Sequence, residues 1–249
     1  VAGLYFGVPD PGRLFIARSP CVAVADTLRL DGCAHVTSEL LSSPETFAEG
    51  VLEPLVLTLL GSMDREPFHA SAVVRDGVAI VIAGPSGSGK STLAYAAHRR
   101  GYLLLGDESV HVQLHPHLRV WGPRGRINLP EAAKAHFPEL KSREPTRLFS
   151  GKVKISIDVP VESRRFFSDK VVLCILGGFR RGEPRTNALS PDEAIARLAG
   201  LREEGFDLYR SSAPQRIRAL AEGGAWLLEQ NERPEETVTV FDDLIRTVG

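Results

Sequence analysis

Residues 77–108, GVAIVIAGPSGSGKSTLAYAAHRRGYLLLGDE, constrain the fold more than any other stretch of the chain. Residues 78–82 form a continuous apolar run rich in β-branched side chains, which suits a strand buried on both faces. Gly84-Pro85-Ser86-Gly87-Ser88-Gly89-Lys90-Ser91 follows and matches the pattern G-x-x-x-x-G-K-[ST] at every fixed position. Its glycines permit a tight turn with N–H groups facing inward, and a helix opening at Thr92 presents its positive end to the same place. Strand, loop and helix in that order predict a site for a phosphate chain, with Gly84 to Thr92 as the contact residues. Lys90 would reach the β- and γ-phosphates and Ser91 would hold Mg²⁺.

Arg99-Arg100-Gly101 reads as the end of that helix, and residues 102–105 as a second buried strand that runs out into Gly106-Asp107-Glu108. Two carboxylates leaving the carboxyl end of a strand beside a phosphate loop stand where they can touch a metal ion and a reacting oxygen. Upstream, residues 68–74 read as a strand and Arg75-Asp76-Gly77 as a hairpin turn into the run before the loop, which puts His69 on the neighbouring strand.

The rest of the chain narrows the possibilities. With 249 residues, 43% hydrophobic and 24% charged, it suits an α/β domain with a smaller attachment. Thirty basic residues against thirty-one acidic ones leave a net charge of −1, which argues against nucleic acid and membrane as partners. Cys21, Cys33 and Cys174 are scattered without a C-x-x-C pair, so neither a disulfide framework nor a zinc site is expected, and a cytoplasmic location fits. Residues 1–65 read as hairpins and one helix starting near Ser43-Pro44, and residues 66–249 as the main domain. His111, His115 and His117 read as a turn with exposed imidazoles. Arg124-Gly125-Arg126 and residues 141–154 read as basic loops able to face phosphate or a partner. Ser190-Pro191-Asp192-Glu193 matches a capping box, residues 213–228 read as helix, and residues 238–241 as a last strand.

Taken together, these residues resemble the kinase domain of bacterial HPr kinase/phosphorylase and its relatives, whose fold is shared with phosphoenolpyruvate carboxykinase. The family's histidine stands 21 positions before the loop lysine, as His69 does before Lys90 (90 − 69 = 21), and its acidic pair about 17 positions after it, as Asp107 does (107 − 90 = 17). The usual Asp-Asp pair is Asp107-Glu108 here, and Arg119 occupies the place of a metal-binding glutamate. The likeness spans roughly residues 66–130. It implies a P-loop kinase domain of that type, using ATP and Mg²⁺ to phosphorylate a hydroxyl, foremost a serine of a peptide or protein such as a lasso-peptide precursor. His69, Lys90, Asp107 and Glu108 would be catalytic, with Ser91, Asp107 and Glu108 around the metal. A small-molecule kinase, a carboxykinase-like enzyme and a non-catalytic nucleotide-binding regulator stay open as alternatives, and a second copy of the chain as a possible partner. An ABC-type ATPase shares the loop wording but needs an LSGGQ motif, which does not occur, and an apolar run ending in Asp-Glu far downstream, whereas Asp107-Glu108 lies too close to the loop.

Overall fold

The computed structural model describes residues 5–10, 12–18, 21–122, 125–148, 151–201 and 212–248. It divides into two units, Val1–Glu66 with Leu148–Lys152, and Pro67–Arg147 with Val153–Gly249. In the first, β1 (Tyr5–Asp10), β2 (Arg13–Arg18), β3 (Cys21–Asp26) and β4 (Asp31–His35) pair antiparallel in chain order. Asp26 closes the turn after β3 by accepting the N–H groups of Leu28 and Arg29. After α1 (Ser38–Leu41), capped by Thr37, the helix expected from Ser43 is divided into α2 (Pro44–Phe47), a π-helical turn (Ala48–Leu52) and α3 (Glu53–Ser62). Ile16, Ala23 and Ala25 of the sheet pack with Val51 and Leu55 in a small core.

The second unit is mixed α/β. After β5 (Glu66–Phe68), β6 (Ala70–Arg75) and β7 (Val78–Ala83) form the expected hairpin. It turns at Asp76 and Gly77, both in the left-handed region. Then come α4 (Lys90–Arg99), beginning two residues earlier than the sequence pattern suggests, and β8 (Leu103–Gly106). The next strands are β9 (Val110–Gln113), β10 (Arg119–Trp121), β11 (Arg126–Leu129), β12 (Thr146–Arg147), β13 (Val153–Asp158) and β14 (Phe167–Ser168). They build two small sheets, β14-β10-β9-β5 and β11-β13-β12. The remaining elements are β15 (Lys170–Phe179), β16 (Arg185–Leu189), α5 (Pro191–Leu198), α6 (Ala213–Glu222), β17 (Ala225–Gln230), α7 (Pro234–Thr237) and α8 (Phe241–Arg246).

Six strands make the central sheet, in the order β16-β17-β15-β7-β6-β8. β7, β15 and β17 are parallel, and β6 runs against both β7 and β8, so β7, β8, β15 and β17 all deliver their carboxyl ends to one edge. All six residues of β7 are buried, because helices cover both faces. Ile80 and Ile82 join a core with Leu93 of α4 and Phe241 of α8, whereas Ala79 and Val81 join one with Leu198 of α5 and Leu220 of α6. Each large aliphatic side chain so enclosed contributes about 1.5–3 kcal/mol relative to exposure.

Two sequence readings change here. Residues 213–228 are not one helix: α6 stops at Glu222, Gly223-Gly224 follows, and β17 pairs parallel with β15. A Cβ on Gly223 would stand 2.3 Å from the Val171 carbonyl oxygen, and Gly224 takes φ 115°, so the two glycines allow the close return to the sheet. Residues 238–241 are not a strand. Val238–Val240 is a 3₁₀ turn running into α8, with Val238 fully enclosed in the α4 face of the core.

Candidate functional site

The glycine-rich loop joins the carboxyl end of β7 to α4, and its shape follows from three glycines with positive φ: Gly84 (150°), Gly87 (80°) and Gly89 (101°). Gly84 lacks room for a side chain as well, since a Cβ there would lie 3.1 Å from Ser88 Oγ and 3.2 Å from Leu176 Cβ. Lys90 is 7% exposed and folds its ammonium back over the loop, donating to the carbonyl oxygens of Gly84 (2.8 Å) and Pro85 (3.0 Å). The Ser88 hydroxyl is buried and has no hydrogen-bond partner. A buried orphan hydroxyl is costly by itself, and a bound anion at the loop would satisfy it. Pro85, Ser86 and Gly87 are exposed at the loop tip, while Ser91 and Thr92 lie half-buried on the first turn of α4.

Hairpin register decides what faces this loop. Ser71 of β6 lies opposite Ile82 of β7, and Ala70 opposite Ala83. On the other flank of β6, Ala72 pairs with Gly106, and the Ser71 hydroxyl donates to Asp107 Oδ1 at 2.6 Å. Asp107 therefore stands level with the last turn of chain before the loop. His69 precedes Ala70 as Gly84 follows Ala83, so the histidine arrives at the same edge; it occupies the bend between β5 and β6 and not the strand itself.

The two adjacent carboxylates are not equivalent. Asp107 is 1% exposed, with Oδ1 taken by Ser71 and Oδ2 accepting the N–H of Asn128 at 2.8 Å. Glu108 is half-buried, takes the left-handed conformation (φ 63°), and accepts the Asn128 side-chain amide at 3.2 Å. Asn128 is in turn oriented by Ser156, whose hydroxyl donates to its Oδ1 at 2.8 Å. Ser71, Asn128 and Ser156, together with Gln230, went unremarked in the sequence. The signal that could have found them is a polar residue inside an apolar strand run, as in ASAVV, RINL and AWLLEQ, where burial demands a partner.

The other candidates have surroundings of their own. His111 is buried on β9, 1% exposed, and not on an exposed turn, whereas His115 and His117 are exposed. Arg119 pairs with Asp169 (2.8 Å from Nη2 to Oδ2) and stacks over Phe167, and its hydrogen bond is the main cause that holds the Asp169 carboxyl below the usual carboxylate range. Arg126 pairs with Asp158 at 2.7 Å, while Arg124 and residues 149–150 lie outside the described residues. Cys174 is buried on β15 opposite Ile82, and burial pushes its thiol pKa up to about 12, which leaves it protonated and inert. Among the described residues, no group of three or more His, Cys, Asp or Glu forms a metal cluster. No helix among them is long and apolar enough to cross a membrane.

No protein-family model and no curated protein matches the chain. Among solved structures it is similar to the HPr(Ser) kinase/phosphatase from Coxiella burnetii, at 14% identity over 73% of this chain and 95% of that one, with a TM-score of 0.38. So distant a likeness assigns no role to any residue, and the site is read from its own geometry.

Proposed function

We propose that the chain is an ATP-dependent kinase of the HPr kinase type, transferring the γ-phosphoryl group to a hydroxyl, foremost a serine of a peptide or protein. The observation that carries this reading is the row Ile82, Ser71, Asp107. It brings the acidic pair and His69 to the edge where the glycine-rich loop leaves β7. The loop fits a phosphate chain on its own terms: an orphan hydroxyl at Ser88, an inward-folded Lys90, and glycines where a Cβ or ordinary φ would fail.

In this reading Lys90, released from the carbonyls of Gly84 and Pro85, binds the β- and γ-phosphates, and the loop N–H groups hold the chain in line for displacement. His69 orients the γ-phosphate. Ser91 and the acidic pair suit Mg²⁺, which binds proteins through one or two carboxylates and otherwise through phosphate and water, and which neutralises charge on the phosphates when bound. Asp107 has both oxygens engaged and serves as a fixed anion. Glu108, the more exposed of the two, takes the proton from the acceptor hydroxyl as that oxygen bonds to the γ-phosphorus. The bond from phosphorus to the β,γ-bridging oxygen breaks, and ADP leaves.

The test is transfer from γ-labelled ATP to a panel of serine-containing peptides and to a whole lysate, by wild type and Lys90→Ala. Labelled peptide or protein with wild type, and none with a folded Lys90→Ala, supports the reading. Label appearing only on a small metabolite would move the substrate class, and tight ATP binding without any transfer would make the protein a nucleotide-binding regulator.

A further inference from the structure

Gln230 closes β17 at the edge that carries the loop, 142 residues from Ser88, and its side chain crosses to it. Its Nε2 donates to the Ser88 carbonyl oxygen at 2.7 Å, and its Oε1 lies 3.2 Å from where a Cβ on Gly89 would stand. The residue is 3% exposed. In a trans peptide, C=O and the following N–H point to opposite sides, so a Ser88 carbonyl tied to Gln230 turns the Gly89 N–H away from Gln230. Gly89 tolerates either orientation, because glycine occupies positive and negative φ about equally. Nothing in the loop's own sequence therefore prevents that peptide from rotating and aiming a carbonyl oxygen at a bound phosphate.

The residue that prevents it is itself held. The Gln230 carbonyl oxygen accepts the N–H of Arg180 at 2.9 Å. The next residue, Asn231, donates its side-chain amide to Glu236 at 2.9 Å and accepts the Thr237 hydroxyl at 3.0 Å, locking the turn into α7. α7 also carries Glu235, which pairs with Arg99 at the far end of α4. The end of β17 thus holds the loop before α4, and α7 the last turn of α4.

We propose that Gln230 is a positioning residue that sets the Ser88–Gly89 peptide for phosphate binding, and thereby the affinity for nucleotide di- and triphosphates. This rests on the nucleotide-binding part of the function proposed above. A carbonyl oxygen only accepts, so the partner must donate: glutamine does, ionised glutamate does not, and protonated glutamate can.

The experiment is calorimetric binding of ATP and ADP by the full chain as wild type, Gln230→Leu and Gln230→Glu, at pH 8 and pH 5.5, with melting temperatures measured alongside. Gln230→Leu should bind both nucleotides roughly tenfold more weakly than wild type at both pH values, the scale of one lost hydrogen bond. Gln230→Glu should lose more at pH 8, where its carboxylate repels the phosphates, and should recover toward wild type at pH 5.5, because burial beside a carbonyl oxygen and the phosphates raises a carboxyl well above its ordinary value of about 4.3 and so restores a donor. That recovery separates positioning from a merely structural role. Wild-type affinities in both variants would overturn the inference, as would a loss in Gln230→Glu that acid leaves unchanged. Wild type that binds neither nucleotide would instead overturn the function proposed above, and this inference with it.

Discussion

Asp107 and Glu108 share a charge and a chain position, and their surroundings separate them. Asp107→Asn can keep a carbonyl oxygen on the Asn128 N–H, but its amide then faces the Ser71 hydroxyl, which loses its acceptor, so a donor is left unsatisfied in a site that is 1% exposed. The expected cost is about 1–3 kcal/mol of stability, seen as a lowered urea midpoint. Glu108→Gln should leave stability close to wild type and lower phosphoryl transfer by roughly 10²- to 10⁴-fold, the range for loss of a general base. The measurement is single-turnover transfer beside urea denaturation. A Glu108→Gln variant of normal transfer rate would move the proposed base to Asp107.

Elements meet at two places where single residues decide the outcome. Gly122, after β10, lies so close to β8 that a Cβ there would stand 1.5 Å from the Leu105 carbonyl oxygen. Gly122→Ala must push β8 aside two residues before Asp107, so it should cost about 3 kcal/mol or more and impair transfer together with stability. Gly178→Ala, with nothing within 4 Å of the added carbon, should shift stability by no more than about 0.5 kcal/mol. α8 is tied to the hairpin through Asp242, which accepts from Tyr102 OH at 2.6 Å and from Arg75 at 2.8 Å. The Tyr102 hydrogen bond, then Arg75, holds the Asp242 carboxyl below its ordinary range. A depressed folded pKa adds stability above the unfolded value of about 3.9 and loses it as pH falls through the folded value. The stability gap between wild type and Asp242→Asn should therefore be full at neutral pH and shrink below about pH 4 in pH-stepped urea titrations. A gap that persists unchanged into strong acid would show that the contact, and not the charge, matters.

At the scale of the whole molecule, ATP with Mg²⁺ at a hundred times its Kd should stabilise the native state by about 2.7 kcal/mol, a clear rise in Tm by scanning calorimetry. Lys90→Ala should show no such rise. Much of the architecture behind this was open to reading in the chain, because its signals are local. The apolar run of β7, the Asp76-Gly77 turn and the Ser190–Glu193 capping box each depend on residues a few positions apart, and all three stand as expected. The spacing of His69, Lys90 and Asp107 is likewise legible in the chain itself. Tertiary structure alone decided the rest. Residues 225–230 became a strand because β15 offered them a parallel partner, overriding the helical look of AWLLEQ after α6. His111 became buried because β9 pairs with β10 inside a sheet. Ser71, Asn128 and Gln230 find hydrogen-bond partners 36, 21 and 142 residues away, and no local pattern encodes a hydrogen bond at that separation. The residues to which the proposed chemistry is assigned were written in the sequence; the side chains that hydrogen-bond to them were chosen by the sheet, since only its register determines which distant side chains share one edge.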